Sequence, residues 1–321
     1  MGLKLGAQLL TVTEPLSAFN LDVWSAHHRH NIEGHLNIWV SVPAAISMPE
    51  GLRTLFGAMR HAVLGGGKRL RPLLALAACE TVGGDQHMAM RAACAVELIH
   101  AYSLVHDDMP CMDNDVLRRG QPTVHVQFGQ AQALLVGDAL QALAFELLTP
   151  EGDHHVAVMQ TRLCRILAKA AGSLGMAGGQ AIDLASVGLP LTSAQLHEMH
   201  RLKTGALLQA SVLMGAHCGD ASHAVLLALQ DYGAAIGLAF QVVDDVLDVT
   251  ADSVTLGKTA GKDAAQDKPT FVSLMGLDAA NAYAQRLLAN AIGNLDALQT
   301  HGFHNTHALR ELADMLVNRQ H

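Results

Sequence analysis

Three aspartates punctuate an otherwise apolar, helix-compatible stretch, Phe240-Gln241-Val242-Val243-Asp244-Asp245-Val246-Leu247-Asp248. A helix places Asp244 and Asp248 on one face, a turn apart, in a stripe with Gly237 and Gln241. Charges beside a core need partners, so the fold must deliver counter-charge to that face. A second acidic run lies upstream. From Glu97 to Thr123 the chain reads E-L-I-H-A-Y-S-L-V-H-D-D-M-P-C-M-D-N-D-V-L-R-R-G-Q-P-T, an apolar helical segment followed by Asp107, Asp108, Asp113 and Asp115 and then the adjacent cations Arg118 and Arg119. Crowded carboxylates repel unless a cation neutralises them, and oxygen-only ligands favour a hard ion such as Mg²⁺ that shares its shell with phosphate oxygens. A solvated acidic loop is the plain alternative for this cluster by itself. Two clusters facing each other could hold a diphosphate through several metal ions.

Asp107 and Asp113 are roughly 240° apart on an ideal helix, so a straight helix could not aim both at one ion. Pro110 removes that conflict, because it lacks an amide hydrogen and clashes with the preceding turn; the helix should end near Asp108 and let a loop swing Asp113 back. Upstream, Gly65-Gly66-Gly67-Lys68-Arg69-Leu70-Arg71-Pro72 interrupts two helical segments, with Pro72 suited to a first turn. Its glycines let backbone approach a phosphate, while Lys68 and Arg71 supply charge. No strand precedes it and no Ser or Thr follows the Lys, so it is not a nucleotide P-loop. Leu256-Gly257-Lys258-Thr259 fails the same test, since the first glycine would fall at Asp252.

Few aromatics and abundant Ala, Leu, Gln and Met favour helices over sheets. Helices are predicted from Leu21 to Val40 and over roughly 88–109, 127–148, 154–171, 192–218, 222–249, 271–293 and 306–319. Thr192 with Gln195 forms a capping box, Gly83-Gly84 a helix stop, and Gly172, Gly175, Gly178 and Gly179 mark close packing or a kink. Residues 1–20 are expected to be a loose leader, and 21–321 one all-α domain, a bundle of about ten or more helices around a central cavity. The net charge of −8 argues against a nucleic-acid partner and for a small anionic substrate. The five cysteines, Cys79, Cys94, Cys111, Cys164 and Cys218, show no CxxC spacing and read as reduced core thiols of a cytoplasmic protein. No uninterrupted apolar run reaches the ~18 residues that span a bilayer, so stable membrane insertion is not expected. His27, His28 and His30 read as surface or packed side chains rather than metal ligands.

These motifs together carry a resemblance. H-D-D-M-P-C-M-D-N-D-V-L-R-R-G, G-G-G-K-R-L-R-P at 65–72, G-G-Q-A-I-D-L at 178–184, K-T-G at 203–205 and F-Q-V-V-D-D-V-L-D at 240–248 resemble, in family order, the trans-type isoprenyl diphosphate synthases, most closely the bacterial farnesyl diphosphate synthases. The resemblance implies the isoprenoid synthase fold and a homodimer. It implies a prenyltransferase that condenses isopentenyl diphosphate head to tail with dimethylallyl and geranyl diphosphate, using Mg²⁺, three per site. By it, Asp107, Asp108, Asp113 and Asp244 hold the metal, with Asp248 close by. Arg118, Lys203, Lys258 and Lys268 contact the allylic diphosphate. Gly67, Lys68, Arg71, His100 and Arg119 bind isopentenyl diphosphate, and Thr204 and Gln241 present oxygen dipoles to the allylic cation.

Within that resemblance Tyr102 is the expected floor of the product tunnel. It lies about 7.5 Å before Asp107 along a helix, although rotation alone brings Ser103 nearer the Asp107 face. An aromatic at this position implies farnesyl diphosphate, with geranylgeranyl or geranyl diphosphate as alternatives. The all-aspartate second motif is unlike that of class I terpene cyclases, and retention of both motifs is unlike non-catalytic partner subunits. Val116 replaces a usual Asp and His61 a common Tyr.

Overall fold

Local sequence signals set where each helix starts and stops. The computed structural model describes residues 19–42, 48–152, 157–250 and 270–319, so residues 1–18 of the expected leader, Lys258 and Lys268 lie outside the described residues. Helix α1 (Leu21–Trp39) starts where the Asn20 side chain accepts from the Val23 amide at 3.0 Å. After α2 (Glu50–Leu64), the glycine-rich loop leads into α3 (Leu70–Val82), which Gly83 closes in the left-handed conformation. Asp85 caps α4 (Gln86–Asp107) through the His87 and Met88 amides. Then come β1 (Leu117–Arg118), β2 (Gln121–Pro122), α5 (Val124–Phe128), α6 (Gln130–Leu148), α7 (Ala157–Ala171) and α8 (Met176–Ala185). Helix α9 (Ser193–His200) opens with the Thr192–Gln195 capping box and runs through a π-turn (Arg201–Gly205) into α10 (Ala206–Ala216). The chain continues with α11 (His223–Thr250), α12 (Phe271–Met275), α13 (Leu277–Gln299) and α14 (His307–Val317).

Helices α3, α4 and α10 are buried on nearly every face, as all-round apolar helices must be, and the other helices pack around them. One contiguous apolar cluster draws on residues from Ile32 in α1 to Val317 in α14. Long helix α11 packs along α13 and α10, and the Tyr232 hydroxyl donates to the Leu309 carbonyl at 2.7 Å, tying α11 to α14 inside the core.

The bundle departs from the sequence expectations at particular residues. The helix expected over 192–218 contains the π-turn, and the one over 271–293 is split at Gly276, whose φ of 83° no regular helix accommodates. Gly129 separates α5 from α6 in the same way. A two-stranded hairpin follows the first aspartate motif in an otherwise helical fold. Cys79, Cys94 and Cys218 are buried and all five cysteines are free, but Cys111 is exposed because it sits in the loop after Pro110 rather than on a packed helix.

The reading that no apolar run is long enough to span a bilayer also needs correcting, by length and composition alone. α4, α6 and α11 are each long and apolar enough to cross a membrane. Scattered polar residues break their apolar runs without lowering the mean enough. In α6 only 39% of the apolar window is buried, and Leu134 and Leu135 stand outward, each about half exposed. His28 is packed rather than ligating: it lies against Trp24 and 3.0 Å from Glu80.

Removing the Tyr232 hydroxyl strands a buried carbonyl. Tyr232→Phe should therefore lower unfolding free energy by about 1–2 kcal/mol in urea titration. An unchanged midpoint would show that Leu309 finds another donor.

Candidate active site

The first aspartate motif is bent at its proline. α4 ends at Asp107, and the Asp113 amide donates to the Asp107 carbonyl at 2.9 Å, so the loop after Pro110 brings Asp113 back to the helix end. The Asp107 carboxyl is pushed up to about 6, mainly by burial; Lys203 opposes this, while neighbouring Asp113 and Asp108 add like-charge repulsion. Asp108 faces a different partner. Its side chain is almost fully buried and is gripped by Arg118, with Nε to Oδ2 at 2.9 Å and Nη2 to Oδ1 at 2.6 Å.

The hairpin explains how two adjacent arginines serve different places. Arg119 and Gly120 both have positive φ, the mark of a tight two-residue turn between Arg118 and Gln121. Arg118 is thereby turned to Asp108, while the Arg119 guanidinium donates to the Gly66 carbonyl of the glycine-rich loop. Gly67 itself has φ 137°, a conformation that residues with a Cβ rarely adopt, so the loop requires glycine there.

The K-T-G motif is the π-turn itself, a rare geometry that often accompanies functional sites. Helices α8 and α11 press on it from two sides. A Cβ on Gly179 would lie 2.5 Å from the Lys203 Cα, and one on Gly237 2.7 Å from the Gly205 Cα. The Lys203 ammonium is held at 2.5 Å by Asp183, whose side chain is only 8% exposed. Thr204 Oγ1 donates to Gln241 Oε1 at 3.2 Å, and Gln241 Nε2 donates to Asp245 at 2.9 Å. A carboxylate can only accept, so Asp245 fixes which end of the Gln241 amide meets Thr204. Asp245 also receives the Phe271 amide at 2.8 Å, while Asp244 is paired with Arg319 and Asp248 is buried one turn on.

On the glycine-loop side positive charge is in excess. Arg71 is depressed by burial, and its Nε is buried with no partner among the described residues. Lys68 is depressed by burial and then by Arg319, with Asp244 opposing. His100 is held neutral, well below the ordinary imidazole range, by burial and by Arg71, Arg119, Arg118 and Arg69. Partly or fully buried cations beside a glycine loop are electrostatically suited to an anion.

Arg71, His100, Tyr102, Ser103, Asp107, Lys203 and Thr204 all line one cavity of about 380 Å³, closed further by Met112, Met176 and Leu184. The structure thus gathers these seven of the sequence-predicted residues around one space, while Asp108, Arg118 and Arg119 line a separate pocket beside His61 and Pro122. Among the described residues, no three acidic, His or Cys side chains converge on one point, because Asp108 and Asp244 are turned to arginines. The donor chemistry nevertheless fits a hard divalent cation. Asp107 is raised in part by its acidic neighbours Asp113 and Asp108, a crowding of oxygen donors that a cation would relieve.

Four side chains that line the cavity or pair with predicted site residues went unassigned from the sequence: Gln180, Asp183, Asp245 and Arg319. Gln180 and Asp183 are three apart in the G-G-Q-A-I-D-L motif, a spacing that shares a helix face. Gln180 lines the cavity with its amide buried and unpartnered among the described residues. Nothing local to Arg319 signals its partner, because Asp244 is far away in sequence.

A sequence model of the polyprenyl synthetase family matches residues 53–302. A probable farnesyl diphosphate synthase of Bradyrhizobium diazoefficiens is 53% identical over 75% of this chain and 74% of its own length. The chloroplastic heterodimeric geranylgeranyl pyrophosphate synthase large subunit 1 of Arabidopsis thaliana is 48% identical over 77% of this chain and 68% of its own. Among solved structures, a geranyltransferase from Helicobacter pylori complexed with magnesium and isoprenyl diphosphate superposes with a TM-score of 0.79. It is 36% identical, over 95% of this chain and 98% of that one.

Gly179→Ala drives a methyl into the Lys203 backbone. Overpacking of this kind should cost about 1–3 kcal/mol, read as a lower thermal midpoint. An unshifted midpoint would show that α8 can move aside freely.

Proposed function

The chain belongs to the polyprenyl synthetase family and is a trans-type prenyltransferase, and from that premise we propose that it is a Mg²⁺-dependent farnesyl diphosphate synthase acting in the cytoplasm as one catalytic domain. The observation that carries the proposal is that Asp107, Lys203, Thr204, Arg71 and His100 all line one cavity. In this assignment Asp107, Asp108, Asp113 and Asp244 hold the metal, with Asp248 close by. When bound, Mg²⁺ neutralises the allylic diphosphate and makes it a better leaving group.

The chain's own groups do the rest. Arg118 and Lys203 place fixed positive charge beside Asp107, where the departing diphosphate gains charge, and so lower the ionisation barrier. Lys258 and Lys268 are assigned to the same diphosphate. Thr204 and Gln241 direct oxygen dipoles toward the allylic cation. Gly67, Lys68, Arg71, His100 and Arg119 seat isopentenyl diphosphate, with neutral His100 able to donate an N–H. The isopentenyl double bond then attacks the allylic carbon, the carbon–oxygen bond having broken, and the released diphosphate takes the departing proton. The reaction needs about 3–3.5 Å between the reacting carbons and exclusion of water, which apolar Met112, Met176 and Leu184 support.

Tyr102 lines the same cavity, its ring packed edge-on to His106 at 5.8 Å, which supports its role as a floor. The likeness to the Arabidopsis geranylgeranyl synthase subunit makes geranylgeranyl diphosphate the second reading. A homodimer through α6 would cover Leu134 and Leu135. Light scattering at micromolar concentration should give twice the chain mass, and a monomer would contradict it.

Purified protein with labelled dimethylallyl diphosphate, isopentenyl diphosphate and Mg²⁺ should yield a fifteen-carbon product, and EDTA should abolish it. Full turnover in EDTA, or no condensation at all, would overturn the assignment. Tyr102→Ala should lengthen the product by at least one five-carbon unit, and an unchanged product would place the floor elsewhere.

A further inference from the structure

Arg69 lies between exposed Lys68 and Arg71, which lines the cavity, and it turns the other way. Its side chain is 2% exposed and reaches three helices. Nε donates to Glu33 of α1 at 2.7 Å, Nη1 to Glu97 of α4 at 2.6 Å, and Nη2 to the Val63 carbonyl of α2 at 2.7 Å. The same residue stands at the start of α3, where its carbonyl receives the Leu73 amide at 3.0 Å. Its backbone is left-handed, with φ 51° and ψ 34°, a conformation unusual for a residue bearing a Cβ. Only Lys68 separates it from Gly66 and Gly67, also at positive φ. Such a loop has little intrinsic preference for one shape. Two guanidinium groups hold it: Arg119 at the Gly66 carbonyl and Arg69 from beneath.

We infer that Arg69 is a positioning residue for the isopentenyl diphosphate half of the site, fixing the loop that carries Lys68 and Arg71 and keeping Glu97 from capturing Arg71. The inference rests on the proposed function. Glu97 is 3% exposed, and its charge acts on Arg71 as well as on Arg69. Without Arg69 it is a buried anion whose nearest remedy is the cation meant for substrate. Lysine cannot substitute, because one ammonium cannot serve three acceptors on three helices as a planar guanidinium does.

The test is steady-state kinetics with each substrate varied in turn. Arg69→Met should raise KM for isopentenyl diphosphate by roughly ten- to a hundredfold, leaving the allylic KM unchanged and most of kcat intact. Arg69→Lys should not rescue it. Arg69→Met combined with Glu97→Gln should recover part of the loss, because the competing anion is gone. Glu33→Gln removes only one of the three contacts and should produce a smaller rise in the same constant. Arg60→Ala is the control: Arg60 also ties α2 to α1, through Asn37 at 2.8 Å and Ser41 at 2.6 Å, but does not touch the loop, and it should leave that KM unchanged. A fall in kcat with both KM values intact in Arg69→Met would show a purely structural role and overturn the inference. Should Arg69→Met fail to fold, an unchanged KM in Glu33→Gln overturns it equally. Calorimetry of wild-type protein with isopentenyl diphosphate separates the two levels. Binding by wild type with no effect of the variants defeats only this inference, whereas no binding by wild type defeats the reading beneath it.

Discussion

Negative charge packed against an apolar interior is the constraint on which the rest of this structure depends. Asp107, Asp108, Asp183, Asp245 and Glu97 are buried or nearly so, a placement that costs several kcal/mol per ion unless each finds a partner. The fold supplies those partners from distant segments: Arg118 to Asp108, Lys203 to Asp183, Arg69 to Glu97, and the Phe271 amide with Gln241 to Asp245. Burial, with Asp113 and Asp108 nearby, pushes the Asp107 carboxyl up to about 6 despite Lys203 and Arg118. On the opposite side Arg71 and His100 are positive or neutral where burial disfavours charge. The cavity between them suits a ligand that carries its own anions and brings its own cations.

Backbone devices place these groups. Pro110 ends α4 and returns Asp113 to Asp107; the Arg119-Gly120 turn sends neighbouring arginines to different loops; the π-turn lifts Lys203 and Thr204 out of helical register. Each is a local break in an otherwise regular helix bundle, and the π-turn is held from two sides by α8 and α11. The chemistry therefore lies at helix ends and interruptions, while the helix interiors supply rigidity.

How legible this was in the chain follows from the range of the interactions involved. Helix positions, the Thr192 capping box, the stop at Gly83 and the bend at Pro110 depend on residues within a few positions, and they stand where periodicity and turn chemistry place them. The aspartate motifs and the cations near them were visible for the same reason. Pairings across the bundle were not. Asp108 reads as equivalent to Asp107 along the chain, yet the hairpin delivers Arg118 to one and not the other. Arg69 reads as one more phosphate-binding cation until α1 and α4 bring Glu33 and Glu97 to it. The π-turn depends on tertiary contact with α8 and α11, which no helical period records.

The central claim is that these carboxylates and cations together form a site for a diphosphate joined to the protein through divalent metal. Calorimetric titration with a non-ionisable thiolo analogue of geranyl diphosphate tests it without requiring turnover. Wild-type protein should bind the analogue tightly with Mg²⁺ and weakly in EDTA, and Asp107→Asn and Asp244→Asn should each lose most of the metal-dependent gain. Equal affinity with and without Mg²⁺, or full metal dependence in both variants, would contradict the account.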